Sequence, residues 1–159
     1  MPESDGKGDA FGKNEIAESD LKNHIAWYKK GFAYFNRGKL ELAIDAWNQT
    51  VQLSPNFADA YHELGVAYGA LSRYDKAAEY FEKAISLSKE HTLAHYNLGV
   101  VFSATGQKEM AVRQAKELRR YDPVLAEMLS KQLKRRYKQS LNGSDPIQTS
   151  AALWNGNRG

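Results

Sequence analysis

The chain has 159 residues, 26% of them charged, a net charge of +3 and no cysteine. That length fits one modest domain, and the missing thiol excludes disulfides, thiolate zinc sites and cysteine nucleophiles. No apolar run is long enough to span a bilayer, and Met1 to Lys13 lacks the features of a secretory leader, so a cytoplasmic location without membrane insertion is expected.

Residues 1–20 are rich in Gly, Ser, Asp, Glu and Lys and hold too few apolar side chains to offset the entropy of ordering; they read as an acidic, disordered tail. Residues 1–22 carry six acids against three bases. Ser19 or Asp20 is placed to cap a helix from Leu21 onward. From there the sequence repeats itself. Gly31, Gly65 and Gly99 stand 34 residues apart, which divides the chain into units 24–57, 58–91 and 92–125 with the glycine at place 8 of each. Place 4 reads Trp27, Tyr61, His95; place 11 reads Tyr34, Tyr68, Phe102; place 20 is always alanine, Ala43, Ala77 and Ala111. Place 24 reads Trp47, Phe81, Ala115, and place 32 reads Pro55, Lys89, Pro123.

This pattern resembles the tetratricopeptide repeat family, recurring three times in phase. The resemblance implies an all-α fold: a right-handed α-α superhelix, or solenoid, of three helix-turn-helix repeats. Small residues at places 8 and 20 let paired helices approach, and the rings at 4, 11 and 24 fill the space around them. Lys30, His95, Lys89 and Ala115 depart from the family's usual residues; Lys30 predicts a first repeat partly open at its outer end, and Ala115 a thinner third interface. The turns Asn36-Arg37-Gly38-Lys39 and Ala104-Thr105-Gly106-Gln107 offer glycine where the chain leaves a helix, whereas Leu71-Ser72-Arg73-Tyr74 must close without one.

Asp122-Pro123 opens a seventh helix, read over 122–141, so that the array as a whole spans 21–141. Its apolar stripe is Leu125, Met128, Leu129, Leu133 and Tyr137, and it resembles the capping helix that closes such arrays. Residues 116–138 hold eight bases against three acids, while residues 23–115 are nearly neutral. A basic face on a terminal helix is read as solvated, so no nucleic-acid partner is expected. Residues 142–159 read as a second disordered tail, with one apolar cluster at Ala151-Ala152-Leu153-Trp154 that offers a docking anchor.

The family resemblance places the first helix of each hairpin on a concave face, with places 2, 5, 9, 12 and 13 turned toward it. From those places, with Asn97 beside them, come the candidate partner-binding residues Ile25, Tyr28, Phe32, Phe35, Asp59, His62, Val66, Leu93, Tyr96, Asn97 and Val100. Phe32, Val66 and Val100 serve equally well as packing between hairpins. Tyr28, His62 and Tyr96 recur at a place the repeat pattern does not require, and are expected to be exposed. Such a surface suits an amphipathic helix or an extended peptide of a partner protein. The lysine, asparagine and arginine clamp with which related co-chaperone domains hold a chaperone's terminal carboxylate is replaced here by Tyr28, Phe32, Glu63, Leu93 and Asn97. His91 and His95, four apart, fall in a turn and a packing place, so no metal site, cofactor or catalytic residue is expected. The chain reads as a non-enzymatic scaffold or adaptor. The alternative is a self-assembling module forming homo-oligomers through its repeat faces.

Overall fold

The computed structural model describes residues 22–141, and these form seven helices. They are α1 (His24–Phe35), α2 (Leu40–Leu53), α3 (Ala58–Ala70), α4 (Tyr74–Leu87), α5 (Thr92–Ala104), α6 (Lys108–Leu118) and α7 (Pro123–Leu141). The segments expected to be tails, with the Ala151–Trp154 cluster, lie outside the described residues. Helix α1 starts at His24, three residues beyond the expected Leu21, because Asn23 is the cap: its Oδ1 accepts from the Ile25 amide at 2.9 Å.

Helices α1/α2, α3/α4 and α5/α6 pair as hairpins, and each hairpin packs on the next through α2/α3 and α4/α5. The array is an all-helical superhelix of the expected kind, closed by α7 against α5 and α6. In each of the first two hairpins a glycine faces the place-24 side chain. A Cβ added at Gly31 would fall inside the Trp47 indole, and one at Gly65 would stand 2.6 Å from the Phe81 ring. Trp47 and Phe81 are fully buried at these contacts, and Trp47 Nε1 donates to the Tyr28 carbonyl at 3.1 Å.

The third hairpin closes differently. Ala115 leaves the ring's place vacant, and Leu129 of α7 enters it, so a Cβ on Gly99 would meet Leu129 Cδ2 at 2.7 Å. The third interface is therefore completed by the capping helix. Helix α7 buries Ala126, Leu129 and Leu133, a stripe rotated from the expected one: Met128 faces solvent, while Leu125 and Tyr137 are half-buried. Pro123 occupies its first position, and Asp122 Oδ1 caps the Leu125 amide at 2.8 Å.

The three turns inside hairpins share one geometry. In the first, the Lys39 amide reaches back to the Tyr34 carbonyl at 3.0 Å and the Gly38 amide to that of Phe35 at 2.9 Å. The second pairs Arg73 with Tyr68 and Ser72 with Gly69, each at 2.9 Å, and the third pairs Gln107 with Phe102 and Gly106 with Ser103. This is the Schellman closure, and it needs a left-handed residue at its centre. Gly38 and Gly106 supply it at φ 72° and 79°; Ser72 adopts it at φ 58° with a side chain attached.

At the outer end of α1, Lys30 stands where an apolar residue would close the repeat. Its Nζ lies 5.1 Å from the centre of the Trp27 ring and 5.7 Å from that of Tyr34, so the stem covers apolar surface while the ammonium meets the ring faces.

Candidate functional site

The candidate groove residues lie on α1, α3 and α5, and the structure sorts them by place. Place 2 is the accessible row: Ile25 is 39% exposed, Leu93 46%, and the Asp59 side chain 61%. Place 9 is mostly packing. Val66 and Val100 are buried in the core cluster, and Phe32 is half-buried against the indole of Trp47 in an edge-to-face contact. Phe35 also leans on Trp47, with ring centres 5.8 Å apart.

Place 5 departs from expectation. Tyr28 is half-buried against Phe32 and Phe57, and His62 and Tyr96 are buried. The reason lies in partners far along the chain. The Tyr96 hydroxyl donates to Gln132 Oε1 on α7 at 2.7 Å, which turns the residue from a free recognition group into a tie between α5 and the capping helix. His62 is held at both ring nitrogens. Its Nδ1 lies 3.1 Å from Glu63 Oε1 and its Nε2 lies 3.0 Å from the Asn97 amide nitrogen, so Nδ1–H donates to the carboxylate and Nε2 accepts from Asn97. That bond joins α3 to α5.

A second imidazole completes this cluster. His91 caps α5 by accepting the Ala94 amide at Nδ1, 3.2 Å away, and its ring lies 4.9 Å from that of His62. Asp59 Oδ1 stands 3.1 Å from His91 Nε2, within ion-pair range but off the line of a hydrogen bond. Burial, reinforced by the neighbouring His62, holds the His91 imidazole below its usual value, with Asp59 opposing the shift. Burial first, and then the Glu63 and Asp59 carboxylates, push the Tyr28 phenol above its ordinary range. The face between α1, α3 and α5 is thus polar and anionic at its centre, with Ile25 and Leu93 as apolar flanks.

His91 and Glu63 entered the sequence reading only as rejected ligands for a metal or a clamp. His91 carried a signal, polarity at a place that holds Phe57 and Leu125 in the other units; Glu63 carried none, because its place holds Lys29 and Asn97 there. His95 turns away from His91: its nitrogens approach Gln114 Oε1 at 2.8 Å and the Lys89 carbonyl at 3.0 Å, and its ring stacks on Tyr121. Among the described residues no group of three His, Cys, Asp or Glu side chains is arranged to hold a metal ion, and no helix is long and apolar enough to cross a membrane.

Sequence profiles of the tetratricopeptide repeat family match residues 31–72 and 58–91. A search of curated protein sequences finds no match. Among solved structures, the chain is similar to the Arabidopsis OM64 TPR domain, at 17% identity and TM-score 0.68 over 73% of this chain and 98% of that one. It is similar to the first TPR of Spaghetti (RPAP3) bound to the HSP90 peptide SRMEEVD, at 21% identity and TM-score 0.67 over 73% and 94% of the two chains. A MamA protein shares 30% identity at TM-score 0.62, over 68% of this chain and 59% of that one. The 34-residue period, the glycine-to-ring packing of the hairpins and these matches agree, and the chain belongs to the tetratricopeptide repeat family.

Proposed function

We propose that this chain is a non-enzymatic protein-interaction scaffold that takes a peptide or helix of a partner along the face formed by α1, α3 and α5. The observation that carries this reading is the place-2 row. Ile25, Asp59 and Leu93 stand at equivalent positions on the first helices of three successive hairpins and are accessible, while His62 and Tyr96 are buried and tied by hydrogen bonds to Asn97 and Gln132. A rigid floor beside a row of accessible side chains lowers the entropic cost of binding. Similarity to a domain bound to a chaperone peptide supports peptide binding as the mode. The ligand class differs, because Glu63 and Asp59 repel a terminal carboxylate where a basic clamp would attract it. The fitting ligand carries apolar anchors for Ile25 and Leu93 and a cation or amide donor for Asp59.

The test is selection from a displayed peptide library against the wild-type chain, followed by binding to an Ile25→Ala, Asp59→Asn, Leu93→Ala variant with an unchanged circular dichroism spectrum. Affinity for the selected peptides should fall at least tenfold. Peptides that bind the variant as tightly as the wild type would place recognition elsewhere.

A further inference from the structure

The end of the array carries a second, chemically different surface. Helices α6 and α7 enclose an open cleft of about 680 Å³. Its floor is apolar, formed by Val112, Ala115, Leu133, Tyr137 and Leu141, with Val112 50% and Leu141 88% exposed. Lys108, Lys116, Arg119, Lys134 and Lys138 also line it, and no carboxylate does. Lys108 rests over the Tyr137 ring at 4.9 Å, and Arg119 has Glu127 at 3.7 Å. Lys116, Lys134 and Lys138 form no ion pair among the described residues. A floor of this kind calls for apolar side chains, and its rim calls for several acids beside them.

Outside the described residues, one base-free segment combines that chemistry. Between Lys13 and Lys22 it runs Asn14-Glu15-Ile16-Ala17-Glu18-Ser19-Asp20-Leu21, with three acids, three apolar side chains and no base. The other candidates neutralise less: residues 1–13 hold three acids against Lys7 and Lys13, and residues 142–159 hold a single acid, Asp145, balanced by Arg158. Reach decides which copy supplies the acidic segment. Helices α1 and α7 are at opposite ends of the array, three steps apart along α1, α3, α5 and α7, or roughly 30 Å at the usual helix spacing. The chain from Ile16 to the Asn23 cap covers about 25 Å when fully extended. Docking in the same molecule would stretch the segment taut, whereas docking in another molecule would not.

We propose that the basic, apolar-floored cleft between α6 and α7 receives the acidic segment Glu15–Leu21 of a second copy of this chain. Each copy then offers a segment at one end and a cleft at the other. The contact is heterologous, and it extends head to tail unless the rotation closes a ring.

The test uses the full chain in sedimentation velocity. Its mass should rise with concentration past that of a dimer and fall back to the monomer at high salt. Two variants should each remain monomeric with wild-type melting: Glu15→Gln, Glu18→Gln, Asp20→Asn, which disables the segment, and Lys116→Glu, Lys134→Glu, Lys138→Glu, which disables the cleft. Mixed together, they should form a one-to-one pair and nothing larger, since one intact segment and one intact cleft remain. A wild-type chain that is monomeric at every concentration overturns the proposal. So does assembly untouched by either variant, or assembly that appears only after residues 142–159 are removed, which would identify that tail as the occupant. Binding of the monomeric wild type to phosphatidylserine vesicles, lost in the lysine variant, would likewise overturn it in favour of a lipid surface.

Discussion

Each of the first two hairpins closes because a glycine has nothing where its partner helix presents a ring. Gly65→Ala should cost roughly 1 to 3 kcal/mol, since the added methyl must displace the buried Phe81. Gly99→Ala should cost less. It meets the methyl end of Leu129, a flexible side chain, where Gly65 meets a ring, and urea denaturation of the two variants compares them directly. His91 gives a prediction in pH. Its folded value lies below the unfolded 6.5, so the unfolded chain binds the extra proton first; stability is full above about pH 6.5 and declines as pH falls below it. Melting temperatures across that range should show the decline, and His91→Asn, which keeps a capping side chain for Ala94, should flatten it. The groups facing this imidazole, His62 and Asp59, are unchanged in that variant. The glycines were legible in the sequence because their spacing is local and periodic. The burial of His62 and Tyr96 was not, because it depends on Asn97 and Gln132, 35 and 36 residues away, and no periodicity links those pairs.

At the scale of the element, the turns and the last helix carry the testable consequences. Ser72 holds a left-handed backbone that costs a residue with a Cβ about 1 to 2 kcal/mol, and the two equivalent turns use glycine. Ser72→Gly should therefore stabilise the chain by roughly 1 kcal/mol, less what the freer unfolded chain takes back, and a shift in denaturation midpoint at constant slope reads it. The absence of glycine from this turn was visible in the sequence. That the same Schellman closure forms regardless was not, because the hairpin packing on either side imposes the conformation. Helix α7 is joined to the array by Ala126, Leu129 and Leu133, and Leu129 is fully buried. Leu129→Ala should cost about 2 to 5 kcal/mol and expose the flank of α5, and ending the chain at Leu125 should do so more severely. Equal melting temperatures for wild type and variant would contradict the packing described for Gly99. The sequence placed this helix correctly and rotated its buried stripe, since Leu125, Met128, Leu129 and Leu133 satisfy helical spacing as well as Ala126, Leu129 and Leu133 do. The choice between them is made by the shape of α5 and α6.

At the scale of the whole molecule, the main contacts among the described residues run within hairpins and between neighbouring ones. Stability in such an array is a sum of local terms and nearest-neighbour interfaces. Damage should therefore stay near its source: in Leu129→Ala, amide exchange should accelerate through α5, α6 and α7 and remain close to wild type in α1 and α2. Uniform acceleration across the chain would instead mark a single cooperative unit. The borrowed closure of the third repeat also fixes how such a chain can lengthen. A duplicate of Ala58–His91 inserted before Thr92 brings its own Phe81 for its own Gly65 and leaves the last hairpin undisturbed. A unit appended after Leu118 removes Leu129 from Gly99 and leaves a hollow that Ala115 is too small to fill. The array can gain repeats from within, and its end is inherited as a fixed piece.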